Sequence, residues 1–175
     1  MKNKDLIFFA AILIIAACCR WAMPASMPNF SPIGAMALFS GACIKDKRLS
    51  YLFPLAALFL SDLVLGLHDT MIFTYIGFAG VIFLGRVLKP KLGVSMIAAS
   101  LAGSVFFYII SNFGFWMLYA PVKSLSSLYK VYFDAIPFFR NALLGDLFFN
   151  TIIFGIFAVF LRFSHRKLQH SIVTK

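Results

Sequence analysis

Residues 93–119 read GVSMIAASLAGSVFFYIISNFGFWMLY, 27 residues without one charged side chain. A helix rises about 1.5 Å per residue and a bilayer's hydrocarbon core is about 30 Å thick, so roughly 20 apolar residues cross it. This run is long enough to span with tilt, or to bend near Asn112-Phe113-Gly114. It sets the fold class: an all-α membrane protein.

The same texture repeats on both sides. Upstream, apolar segments cover about 6–22, 31–44, 51–67 and 70–88, and downstream one covers about 139–163. The chain therefore reads as a single integral membrane domain over 1–175, a bundle of six transmembrane helices. Segment 31–44 is short and enters through Asn29-Phe30-Ser31-Pro32, with Pro32 tolerated in a first helical turn. Composition agrees. The 175 residues are 62% hydrophobic with six acidic side chains, where soluble domains are about 45–50% apolar.

The formal charge of +10 could suggest nucleic acid, but its Lys and Arg residues lie in short clusters between segments. That pattern anchors a protein to an anionic inner leaflet and needs no nucleic-acid partner. With both termini cytoplasmic, twelve of the sixteen basic residues fall inside, leaving Arg20, Lys123, Lys130 and Arg140 outside. The positive-inside bias thus orients the bundle in a bacterial inner (cytoplasmic) membrane, as a multi-pass protein. A rival reading concerns the start. Lys2 and Lys4, an apolar run and Ile15-Ala16-Ala17-Cys18 also fit a secretory signal with a lipoprotein-type cleavage box at Cys18. A first spanning helix explains the same residues and is the reading adopted.

Three polar side chains interrupt the apolar segments: Asp62, Asn112 and Asp146. Such groups cost roughly 2.5–3.5 kcal/mol at membrane depth on insertion scales, and usually face a partner, a cavity or a substrate. Counted from their own outer helix ends, all three lie roughly 8–11 Å deep. A shared depth in the outer half predicts one pocket open to the outside. Tyr108, Asn112, Trp116 and Tyr119 follow helical spacing and make an aromatic-amide stripe. Stacking surfaces with a few fixed polar groups suit a small molecule. The structural alternatives are that Asp62 or Asp146 pairs with Arg140, that Asn112 bridges helices, and that Trp116 and Tyr119 are interfacial belt residues.

Between the last two segments, Leu125, Leu128, Tyr129, Tyr132 and Ile136 have the spacing of a short amphipathic helix ending before Pro137. Within the outer loop 120–138 it would cap the pocket as a lid, or serve only as an anchor. Small residues four apart, Ala37 with Gly41 and Ala98 with Ala102, mark faces where helices approach closely. These are internal seams or docking surfaces for another membrane subunit.

Known catalytic patterns are missing. There is no GxxxxGK[ST] loop, no HExxH, no GxSxG and no paired Cys/His metal set. The sequence reads as a non-enzyme without cofactor. Two further readings stay open: an intramembrane enzyme using Asp62 and Asp146 as an aspartyl pair, and a small proton-coupled carrier relaying through either carboxylate.

The strings Asn29-Phe30-Ser31-Pro32-Ile33-Gly34-Ala35-Met36-Ala37-Leu38-Phe39-Ser40-Gly41-Ala42, Ser61-Asp62-Leu63, Ser111-Asn112-Phe113-Gly114-Phe115-Trp116, Ile136-Pro137-Phe138-Phe139-Arg140-Asn141 and Gly145-Asp146 carry a resemblance. Over most of its length the chain resembles a small family of bacterial transport proteins related to the substrate-binding S components of energy-coupling-factor (ECF) vitamin transporters. The resemblance implies vitamin uptake by a six-helix S component, with a vitamin-like ligand enclosed by the first, third and fifth loops. On that reading Asn29, Ser31 and Asn141 join Asp62, Asn112, Asp146 and Arg140 as polar contacts, with Tyr108, Trp116, Tyr119 and Phe138 as stacking walls. S components are driven by a partner membrane subunit and a pair of ATPases, though some relatives resembling this chain, small cobalamin-uptake proteins among them, work alone. Their docking pattern usually lies on the first helix. Here Ala37 and Gly41 provide it on the second. Cobalamin or a related corrinoid is the expected ligand, with His68 offering an axial nitrogen to its cobalt. Against that, His68 also reads as a plain turn residue, and thiamin-, biotin- or queuosine-type ligands remain open.

Overall fold

The computed structural model describes residues 27–173, with side chains to Phe163, together with Ala11, Ile14 and Cys18, which are helical. The expected first span, 6–22, otherwise falls outside the described residues. Those described form six helices and no strand: α1 Ile33–Cys43, α2 Lys47–Leu65, α3 Met71–Leu88, α4 Val94–Tyr119, α5 Leu125–Asp134 and α6 Ile136–Val173. Four of them, α2, α3, α4 and α6, are long and apolar enough to cross a membrane. Their outward faces carry exposed apolar side chains such as Leu60, Val64, Ile72, Val94 and Leu101. Apolar surface on that scale is a lipid-facing surface. The protein is a multi-pass membrane protein.

At the centre stands α1. It has eleven residues, nine of them buried, and it packs against α2, α3, α4 and α6. A helix that is apolar on every side belongs in a core. Its rise of about 16 Å is half the hydrocarbon thickness, so it does not match the four long helices as a span. Around it, Met36, Phe39, Leu58, Ile153 and Phe154 form one packed cluster, and Leu38, Val81, Ile82 and Ala99 another.

Lipid tails are as apolar as leucine, so helices associate here through close packing and hydrogen bonds. The α1–α3 contact shows how. A Cβ on Gly41 would overlap the Ile82 carbonyl oxygen, and a Cβ on Gly85 would overlap that of Leu38. Ala37 is fully buried in the same seam. This corrects one expectation. Ala37 and Gly41 cannot dock another subunit, because α3 already covers them. Ala98 and Ala102 differ: both are exposed, while the buried seam of α4 runs through Ala99, Ser100, Gly103 and Ser104.

Local chemistry sets the helix ends. Asp46 caps α2 by accepting from Leu49 N at 3.0 Å, which starts that helix four residues before the expected Tyr51. A capping box between Ser124 and Ser127 opens α5. Pro137 sits in the first turn of α6, where a missing N–H costs nothing, so α6 begins at Ile136 and not near Phe139. At one end of the bundle Arg86 donates to Ile44 O at 3.2 Å and Ser50 Oγ at 3.0 Å, and Ser40 Oγ donates to Ser50 O at 2.8 Å. One guanidinium thereby ties together the end of α1, the start of α2 and the end of α3.

Candidate functional site

The end of the bundle away from Arg86 holds a cavity of about 850 Å³. Its walls come from segment 27–31, from the starts of α1, α3 and α6, from the end of α2 with its turn, from the later part of α4, and from α5. The clusters Lys45–Arg48 and Arg86–Lys91 lie at the opposite ends of α1, α2 and α3.

Asp146 is on its floor, seven residues beyond Phe139 and so about 10 Å deeper along α6. Its Oδ2 lies 2.6 Å from Ser104 Oγ, which also lies 2.9 Å from Ser100 O. Gly34 makes room for it, since a Cβ there would overlap Asp146 Oδ1. One turn further, Asn150 is buried and donates to Ser100 Oγ at 2.9 Å. A polar ladder thus joins α4 to α6 beneath the cavity.

Above the floor the walls are aromatic. Phe78 of α3 and Phe107 of α4 pair at 4.4 Å, and Tyr108 and Phe139 at 4.9 Å. Phe30, Phe115 and Phe138 also line the space. Asn112 lines it too, donating from Nδ2 to Tyr108 O at 2.8 Å.

The roof is α5, pinned to α4 by three hydrogen bonds. Tyr108 donates to Tyr132 O, Tyr132 OH donates to Ile109 O at 2.8 Å, and Trp116 Nε1 donates to Ser127 Oγ at 2.9 Å. Burial raises the Tyr132 phenol above its usual range, with the neighbouring Tyr108 adding to the effect, so it remains a donor. Segment 27–31 closes another side. Asn141 Nδ2 donates to Pro28 O at 3.2 Å, and Gly145 lies against Ser31 N and Phe30 Cα.

Of the expected site residues, Asn29, Ser31, His68, Tyr108, Asn112, Phe138 and Asp146 line this cavity. The others do not. Asp62 is buried but accepts from Tyr75 OH at 3.0 Å in the α2–α3 contact, because its face of α2 turns toward α3. Trp116 is spent on α5, with Lys123 Nζ 5.8 Å from its ring centre. Tyr119 is half exposed and donates to Asp69 Oδ2 at 3.0 Å. Arg140 is exposed outside the lining, and Asn141 holds the entry segment. Neither carboxylate pairs with Arg140. Among the described residues the ion pair is Lys130–Asp134, 2.8 Å apart on α5.

Residues not expected include Gly34, Thr74, Phe78, Ser104, Phe107, Asp134 and Phe139. Ser104 had a signal, its spacing from Ser100, which reads as a small-residue seam until the facing carboxylate is known. His68 sits at the rim with Nδ1 2.9 Å from Thr70 Oγ1, as a turn residue would. No group of three or more His, Cys, Asp or Glu among the described residues could hold a metal ion.

A family model described as "Family of unknown function (DUF6580)" matches residues 1–169. No curated protein and no solved structure matches the chain.

Proposed function

The chain belongs to the DUF6580 family, and we propose that it captures a vitamin-sized small molecule from the outer side of the membrane. One observation carries this reading: an aromatic cavity of about 850 Å³ with Asp146 and Asn112 on its wall, roofed by a short amphipathic helix. Ligand sites are typically concave, apolar spaces of about 300–1,000 Å³ with a few placed polar groups. The cavity lies at the bundle end away from the basic clusters, which the positive-inside bias assigns to the cytoplasm. In this reading the bundle is S-component-like, with six membrane segments, the short buried α1 among them, and both termini inside a bacterial inner membrane.

The protein acts as a binding and transport component and not as an enzyme. An aspartyl pair would need both carboxylates on one substrate, and Asp62 is engaged with Tyr75 outside the cavity lining. Release would follow opening of α5 or reorientation of the bundle, driven by an ECF-type membrane subunit with ATPases or by the chain alone. A proton-coupled carrier is the rival mechanism, with Asp146 as its relay.

A corrinoid is a second reading of the same cavity. His68 supports it: the ring is on the rim, and with Nδ1 at Thr70 its Nε2 could serve cobalt.

Binding of a vitamin panel (cobalamin, thiamin, biotin and queuosine precursors) to the purified chain in lipid nanodiscs tests the proposal. The expected result is saturable retention of one ligand, reduced at least about tenfold, or about 1.4 kcal/mol, by Asn112→Ala. No retention of any small molecule, with tight co-purification of a partner protein, would instead make the chain an assembly subunit.

A further inference from the structure

We infer that the ligand of this cavity is an organic cation, an amine or quaternary nitrogen attached to an apolar or aromatic body, with Asp146 as its counter-charge. The inference rests on the capture reading and names the substrate class of that site.

Charge distribution is the first argument. The sequence carries sixteen Lys and Arg against six acids. Yet among the described residues that line the cavity there is no Lys and no Arg, while Asp134 and Asp146 both line it. Among the described residues, the cations of this end stand off the wall. Lys130 pairs with Asp134, Lys123 donates to Trp116 O and Ala120 O, and Arg140 is exposed outside the lining. A cavity for an anionic ligand would place its bases on the wall. This one presents Asp146, while Asp134 is already paired with Lys130.

The second argument is the state of Asp146. An ionised carboxylate at membrane depth is costly unless a cation or several donors compensate it. Ser104 is neutral, and its one hydrogen faces two acceptors, Asp146 Oδ2 at 2.6 Å and Ser100 O at 2.9 Å. It serves one of them at a time. The carboxylate, which lines the cavity, is therefore poorly compensated, and a ligand cation supplies the missing positive charge.

The walls supply the third. Phe78 with Phe107, and Tyr108 with Phe139, form packed aromatic pairs in the lining above the floor. Aromatic faces attract a cation, and more strongly in a desolvated site. A carboxylate beneath aromatic walls suits a charged nitrogen carried on an apolar body. It does not suit a phosphate or a carboxylic acid.

The test uses the full chain in nanodiscs and matched probes: phenyltrimethylammonium and its neutral isostere tert-butylbenzene, with thiamin and biotin as a cationic and an anionic vitamin. The expected result is that each cation binds at least about tenfold more tightly than its uncharged or anionic counterpart, and that Asp146→Asn removes this preference. The wild-type comparison stands even where Asp146→Asn does not fold. Ser104→Ala, which keeps the carboxylate, should retain the preference. Equal binding of the neutral or anionic probes, or an undiminished preference in folded Asp146→Asn, overturns the inference and leaves capture intact. Failure of every probe and every vitamin to bind overturns both.

Discussion

Replacing Gly41 by Ala tests the helix seam on which the cavity's walls are mounted. The added Cβ would lie 3.0 Å from the Ile82 carbonyl carbon and 3.1 Å from Arg86 N, and would overlap the Ile82 oxygen. All three obstacles are backbone, so no rotamer change relieves them. Relief requires α1 and α3 to move apart, which loosens the contacts of Ala37, Leu38 and Ile82 as well. Overpacking a tight core costs about 1–3 kcal/mol, and a backbone obstacle places this one near the top of that range. For a chain of this size that corresponds to a fall in Tm of roughly 5–10 °C. Gly155→Ala is the control. It lies within α6 with nothing inside 4 Å of its added Cβ, so it should be neutral or stabilising by up to about 1 kcal/mol. Thermal or SDS-induced unfolding in mixed micelles measures both. Equal Tm values for the two variants would refute the close approach of α1 to α3.

Two further outcomes follow from named hydrogen bonds. Arg86→Ala should destabilise the chain by about 2 kcal/mol in the same assay, since it removes the donor to Ile44 O and to Ser50 Oγ, the latter keeping only its bond to Lys47 O, at the junction of three helices. Tyr132→Phe removes the bond to Ile109 O, worth about 1 kcal/mol, and should raise amide exchange across 125–134 about fivefold while leaving exchange in α3 unchanged.

The long apolar runs were legible because length and composition suffice to identify them. Gly93–Tyr119 was read within one residue of α4, and 70–88 within one residue of α3. Ends set by side-chain chemistry were less so. The Asp46 cap and the placement of Pro137 in a first turn each moved a boundary by three or four residues. Depth grouped Asn112 with Asp146, and both line one cavity. It misled for Asp62, because depth is one coordinate and the direction a side chain faces depends on which helix packs beside it. Tyr75, thirteen residues on, takes that carboxylate. The Tyr108–Tyr119 stripe divides for a similar reason: α5 lies along its upper part and claims Trp116. Nothing in the sequence alone paired Phe78 with Phe107, a contact that exists only once α3 lies against α4.

The most direct measurement is native mass spectrometry of the chain released from its own membranes, comparing wild type with Asp146→Asn and Asp62→Asn. The account predicts a co-released small molecule on wild type, retained by Asp62→Asn and lost from Asp146→Asn. Loss from Asp62→Asn with retention by Asp146→Asn would contradict it, and so would a bare chain in all three preparations.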